Sequence, residues 1–308
     1  MEHIHYAAVD IGSNAVRLLI KRLDDASSGR FSKDVMMRVP LRLGQDVFTK
    51  GNVGAKKLNN LVELMRAYAI VMGIYRVESG NRRICATCAL REAANADRIV
   101  EQIGEATGFN VEIISGQEEA SIVCGLSSPD DKRKLIYVDV GGGSTEVSIM
   151  GGGKIFGRKS YPIGTVRMIN GLTTENWKQI LAADLRKSAT EFALRNVSSG
   201  TLTNAVIVGA GGNINKLFSM AQERDSAGRT MSVESLRRLY MELAAMSVEQ
   251  RMTKLKLKPD RADVIVPAAE IFLAIADTLA ISEIEIPTDG LADGIILDLW
   301  RRQNKSIG

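Results

Sequence analysis

Val9-Asp10-Ile11-Gly12 returns 129 residues later as Val138-Asp139-Val140-Gly141, and Ile20 and Ile149 match at the same offset. A repeat on this scale resets the architecture before any local detail is read. Around the first copy, residues 6–10, 16–22 and 34–39 are short apolar, β-branched runs separated by turn residues, which predict a three-strand meander. Around the second, 135–140, 145–150 and 154–160 predict the same arrangement with glycine-rich turns. Each meander leads into alternating helices and strands. In the first half, Leu58, Leu61, Val62 and Met65 at helical spacing predict a helix over 54–73. A strand at 83–87, a helix at 91–106, a strand at 111–115 and a helix from about Gly116 follow. In the second half, helices are expected at 176–194 and 233–254, with a strand at 205–209 between them. A long apolar helix at 264–280, a strand at 283–286 and a final amphipathic helix at 290–302 complete the chain.

The chain therefore reads as α/β, with two homologous domains that each open on a hairpin carrying an Asp and a Gly. Its 308 residues agree with two domains at roughly 150 residues each. The second domain is expected at 124–290. Residues 1–123 and 291–308 would form the first, because the apolar face of the last helix (Leu291, Ile295, Leu299) needs burial. No Pro- or Ser-rich linker separates the halves, so close packing around an interdomain cleft is expected, a favoured ligand location.

Composition narrows the function classes. Apolar residues at 45% and charged residues at 25% are ordinary for a globular chain. Forty Lys+Arg against thirty-six Asp+Glu leave +4, which permits an acidic ligand without demanding one. Aromatics at 5% are poor material for base stacking, so no nucleic-acid partner is expected. No apolar run reaches the ~18 residues of a membrane span, since Glu270 and Asp277 interrupt the greasiest stretch. The N-terminus has no cleavable signal pattern, so no membrane association and a cytoplasmic location are expected. Cys85, Cys88 and Cys124 do not make a disulfide framework. Cys85-Ala-Thr-Cys88 matches C-x-x-C, but it ends an apolar strand-like run rather than starting a helix, and reads as buried packing. His3 and His5 are the only histidines, which disfavours His-based triads and zinc sites.

Eight of the 28 glycines fall between Gly141 and Gly164. Asp139-Val-Gly141-Gly142-Gly143-Ser144-Thr145-Glu146 contains three in a row, each costing ~0.5–1 kcal/mol inside an element, so a ligand pressed against the backbone is a reason for them. Asp139 and Glu146 at either end suit a hard cation. In the first copy, Gly12 permits a tight turn, and its N–H groups with Ser13 and Asn14 suit a phosphate oxygen; an ordinary hairpin turn is the competing reading. Val208-Gly-Ala-Gly211-Gly212-Asn213 runs from a strand into a helix, an anion-binding geometry, yet it is neither G-x-G-x-x-G nor a Walker A. Residues 152–160 miss Walker A because Arg158 stands where Lys is required, and read as a hairpin. Ser115 and Glu118 have capping-box spacing, which makes Glu118 structural and leaves Glu119 over. From the residue alone, Glu119 reads equally as a water-activating carboxylate and as an inert surface charge. Arg91 suits bidentate phosphate contact or a solvated helix position, and the run Lys132-Arg133-Lys134 a solvated turn or a polyanion contact.

Together, Asp10-Ile-Gly-Ser-Asn14, Thr87-Cys-Ala-Leu-Arg91-Glu92-Ala93, Ile114-Ser-Gly-Gln-Glu-Glu119-Ala120 and Asp139-Val-Gly-Gly-Gly-Ser-Thr-Glu146 resemble the exopolyphosphatase / guanosine-pentaphosphate phosphohydrolase family, in order and over essentially the whole chain. The resemblance implies two ribonuclease-H-like (actin-like) domains in tandem. It implies a Mg²⁺-dependent hydrolase that removes the terminal phosphate of inorganic polyphosphate or, alternatively, of guanosine pentaphosphate, a stringent-response nucleotide. A non-catalytic polyphosphate or nucleotide sensor and an ATP-using kinase are the other readings. Carried over, Glu119 is the catalytic carboxylate, and Asp10, Asp139 and Glu146 are the metal-linked acids. Gly12, Ser13, Asn14, Arg91, Gly142, Gly143, Ser144, Thr145, Gly211 and Gly212 would cradle phosphates, and a homodimer is among the states to expect. Larger members carry a C-terminal helical extension beyond the equivalent of Gly308, so long processive tracking is not expected of this chain. Asn213 and Ala292 depart from the usual Thr and Arg, which implies altered substrate choice rather than loss of hydrolysis.

Overall fold

A computed structural model describes residues 3–126, 131, 133–152, 154–195, 202 and 204–305. Lys132 of the basic run lies outside the described residues. The chain divides into two compact units: Met1–Leu126 with Asp289–Gly308, and Ser127–Thr288.

The first unit opens with the meander β1 (His5–Ile11), β2 (Val16–Asp25) and β3 (Arg30–Val39). The helices α1 (Leu43–Lys50) and α2 (Ala55–Ile74) follow, then β4 (Arg82–Ala86), α3 (Cys88–Glu92), α4 (Ala96–Thr107), β5 (Val111–Ile113) and α5 (Gly116–Cys124). The sheet order is β3-β2-β1-β4-β5. β1 pairs antiparallel with β2, whereas β1, β4 and β5 run parallel, so Ile11, Ala86 and Ile113 lie side by side. Alternation along β1 and β2 sends Val9, Ile11, Leu18 and Ile20 into a core with Leu61, Met65 and Tyr68 of α2. Full burial of each such side chain contributes about 1.5–3 kcal/mol. The edge strand β3 carries Lys33, Asp34 and Arg38, charges that discourage pairing with another chain.

The second unit repeats the plan with β6 (Lys134–Val140), β7 (Thr145–Gly151), β8 (Lys154–Tyr161), α6 (Thr165–Ile169), α7 (Trp177–Arg195), β9 (Val206–Ala210) and α8 (Gly212–Met220). It continues through β10 (Thr230–Ser232), α9 (Val233–Ala244), α10 (Val248–Lys254), α11 (Pro259–Ala262), α12 (Ile265–Leu279) and β11 (Glu283–Glu285). Its sheet, β10-β11-β9-β6-β7-β8, has the order of the first unit with one strand added. β6, β9 and β11 run parallel. The core gathers on α12, where Ile265, Phe272, Ile275 and Ala276 are fully buried. The final helix α13 (Leu291–Lys305) belongs to the first unit and packs on β1, β2, β4 and α5. No described helix is long and apolar enough to cross a membrane.

Four sequence expectations are corrected. The helix expected over 91–106 is two, α3 and α4, because Asn95 turns out of the helix to bond both the N–H and the C=O of Val53 at 3.0 and 2.9 Å. The helix expected over 233–254 breaks at Ser247, whose hydroxyl and Gln250 form a capping box that starts α10. Cys88 does start a helix, α3. The C-x-x-C pair is nonetheless buried packing: burial pushes the Cys85 thiol up to about 12, and the Cys88 Sγ donates to Glu92 Oε1. α1 and α6 stand where no element was expected.

Candidate active site

Parallel strands expose their carboxyl ends to one side, the usual ligand side of an α/β sheet. In the first unit three segments leave that side: the β1–β2 turn, α3 and α5. Asp10, one residue before the end of β1, is 3% exposed; its Oδ2 accepts from Arg17 Nη1 at 2.5 Å, directly across the ladder. The turn closes by Gly12 N–H to Ala15 O, 3.1 Å, with Ser13 buried and Asn14 half-buried. The Ser13 and Asn14 carbonyls accept from Gly44 N and Arg42 N, at 2.8 and 3.0 Å, where the chain enters α1.

Ser115 caps α5 by accepting from Glu118 N–H at 3.1 Å. The reciprocal half of the expected capping box is replaced: the Glu118 carboxylate accepts from Arg83 instead, at 2.9 Å. Arg83 is buried, and its guanidinium also serves Glu112 and Asp298, tying β4, β5, α5 and α13 together. Glu119 is 8% exposed, which removes the inert surface reading. Its Oε2 lies 3.8 Å from Arg91 Nη1, and Arg91, in the last turn of α3 rather than at a helix start, donates to Ile114 O at 2.6 Å.

In the second unit the β6–β7 turn has the same closure, Gly141 N–H to Ser144 O at 2.9 Å. Asp139 and Glu146 are direct partners across the antiparallel ladder, so both carboxylates stand on one face. Glu146 is oriented by two hydroxyls on the same oxygen, Ser144 Oγ at 2.6 Å and Ser160 Oγ at 2.8 Å. Gly211 has φ +92°, and a side chain there would come within 2.7 Å of Asp139 Oδ1, so glycine is required for the close approach. Thr145, expected to hold phosphate, is turned inward: it is fully buried and donates to Ile163 O at 2.6 Å.

Two carboxylates with adjacent hydroxyls suit Mg²⁺, which takes one or two protein carboxylates and completes its shell with water and phosphate. Among the described residues no group of three or more His, Cys, Asp or Glu is placed to hold a metal ion, so an all-protein cage is absent. The fit therefore rests on Asp139 and Glu146, while the Asp10 carboxylate faces a guanidinium.

Three arginines were missed by the sequence reading. Arg17 neutralises Asp10, Arg167 Nε donates to Gly143 O at 2.6 Å, and Arg261 lies against Gly212 and bonds Asn213 Oδ1. Only Arg17 had a readable signal, seven positions after an Asp that ends one strand of a predicted hairpin.

Residues 25–303 match the Ppx/GppA phosphatase family. A bifunctional 3-dehydroquinate synthase/phosphatase of Fusobacterium nucleatum is 25% identical over 284 residues, covering 88% of this chain and 43% of that protein. A guanosine-5'-triphosphate,3'-diphosphate pyrophosphatase of Photobacterium profundum is 28% identical over 312 residues, covering 96% and 59%. The chain thus spans about half the length of these curated relatives. The crystal structure of an exopolyphosphatase from Cytophaga hutchinsonii superposes with a TM-score of 0.80 at 19% identity over 97% of this chain and 98% of that one, which shows the shared fold. With two α/β units of repeated strand order and a family match over most of its length, the chain belongs to the Ppx/GppA phosphatase family.

Proposed function

We propose that the chain is a Mg²⁺-dependent exopolyphosphatase that hydrolyses the terminal phosphoanhydride of inorganic polyphosphate and releases orthophosphate. The observation that carries this reading is the buried Glu119 carboxylate beside Arg91 at the carboxyl ends of parallel strands. A carboxylate shielded from bulk water holds and deprotonates a nucleophilic water, and a neighbouring guanidinium meets the charge on phosphate oxygens. In the second unit, the amides of Gly142, Gly143 and Ser144 offer donors suited to phosphate oxygens. Asp139 and Glu146 would hold Mg²⁺, which when bound supplies positive charge to the phosphate oxygens. Asp10, being ion-paired, is assigned to the turn rather than to the metal. The pyrophosphatase relative favours guanosine pentaphosphate as the second substrate to test.

The test is phosphate release from long and short polyphosphate, guanosine pentaphosphate and ATP, with and without Mg²⁺. Glu119→Gln should lower the rate on the preferred substrate by about 10²–10⁴-fold, the usual contribution of a general base. Retention of most of the rate removes Glu119 from the mechanism; binding of polyphosphate without any turnover by the unmodified chain makes it a sensor instead. A location in the cytoplasm and a homodimer are part of the same proposal, checked by fractionation and by solution mass.

A further inference from the structure

We propose that Arg167 is a positioning residue: it turns the amides of the glycine loop toward the phosphate that the preceding reading, on which this inference rests, brings there. All three glycine carbonyls of the loop are engaged from one side. Gly141 O accepts from Thr165 N at 3.0 Å, and Gly142 O from Val166 N at 2.8 Å and Arg167 N at 3.3 Å. Gly143 O accepts from the Arg167 side chain, Nε at 2.6 Å. In a trans peptide the C=O of one residue and the N–H of the next point opposite ways. Holding these carbonyls toward α6 therefore directs the N–H groups of Gly142, Gly143 and Ser144 to the opposite face. Three successive amides aimed together form an anion-binding concavity.

The three anchors are not equivalent. The first two are main-chain donors, which almost any sequence supplies. The third is one side chain, so Arg167 sets the peptide that carries the Ser144 amide. Ser144 in turn holds Glu146 through its hydroxyl, so the same peptide links the anion face to the acid pair. Gly164 makes the arrangement possible: a Cβ there would fall 2.5 Å from Gly142 O and 2.5 Å from the Gly143 carbonyl carbon. Main chain meets main chain at that point, leaving Arg167 within reach.

The experiment compares wild type, Arg167→Ala and Arg167→Lys on two readouts. The first is steady-state phosphate release from polyphosphate with Mg²⁺, alongside thermal unfolding and with free guanidinium added to the Ala variant. Losing one correctly aimed donor should lower kcat by about 10–100-fold while KM changes less than about threefold, with cooperative unfolding retained. Guanidinium should restore part of kcat, and the Lys variant should stay within about fivefold of wild type, since one donor suffices. The second readout is amide shifts of ¹⁵N-Gly/Ser-labelled protein titrated with inorganic phosphate. Gly142, Gly143 and Ser144 should respond in wild type, and Ser144 should lose its response in Arg167→Ala. An Ala variant with kcat within twofold overturns the proposal. So does a loss that travels with collapsed unfolding and that neither Lys nor guanidinium repairs, or a wild-type loop silent to phosphate. If wild type releases no phosphate from any substrate, the proposed activity fails, and the titration still decides the role of Arg167.

Discussion

In the first unit Asp10 faces Arg17 across the β1–β2 ladder; 129 residues later the corresponding positions hold Asp139 and Glu146. The two turns are otherwise built alike. Both close with an N–H to C=O bond spanning three residues, and both have their next two carbonyls held from the segment that follows the third strand. The backbone device is thus common, and the charge on it is reversed. A buried carboxylate beside a guanidinium is a neutral pair that fixes the hairpin. Two carboxylates side by side repel unless a cation joins them. The two copies therefore differ in charge at a single position of the register, Arg17 in the first and Glu146 in the second, and under the proposed function it is the second that takes metal and phosphate.

The largest expected effect comes from making the second turn resemble the first. Glu146→Arg would place a guanidinium opposite Asp139, and Mg²⁺-dependent phosphate release should fall at least about 10³-fold, roughly 4 kcal/mol in barrier height. Activity within tenfold of wild type across a Mg²⁺ titration would break the contrast. Next, Arg17→Met should leave Asp10 buried without its cation. Breaking such pairs costs about 3–5 kcal/mol when both partners are buried, and about 2–3 kcal/mol is expected here because Arg17 is 29% exposed. Urea unfolding measures it, and an unchanged midpoint would show that Asp10 needs no partner. Gly211→Ala should cost about 1–2 kcal/mol, from a backbone conformation that side chains rarely adopt and from contact with Asp139. A structure of that variant with Asp139 unmoved would weaken the case for a close approach. Smallest is Ser160→Ala, which removes one of the two hydroxyls on Glu146 and should weaken Mg²⁺ activation about fivefold, near 1 kcal/mol.

Much of this was legible beforehand because it is local. The D-x-G turn, the alternation of β1 and β2 and the Ser115 cap depend on residues a few positions apart. α1 and α6 were not legible: α1 follows a left-handed Arg42 with no side-chain cap, and α6 is only five residues long, with its first N–H groups spent on the glycine loop. The break in the helix expected over 91–106 depends on Val53, a residue forty-two positions from Asn95. Glu119 was recognised as a candidate, but its burial and its 3.8 Å approach to Arg91 exist only in the folded unit.

By itself the sequence determined the duplicated α/β plan, the two Asp-Gly turns and the carboxylates available for chemistry, since backbone constraints and side-chain periodicity act over one turn or one hairpin. Tertiary structure decided which charges meet. Arg83 finds Asp298 across 215 residues, Arg261 reaches Asn213 across 48, and Arg167 reaches Gly143 across 24. Such pairs form only after strand order and register have brought distant segments together. A charge's neighbours then decide whether it faces a guanidinium, as Asp10 does, or stands across the ladder from a second carboxylate, as Asp139 does from Glu146.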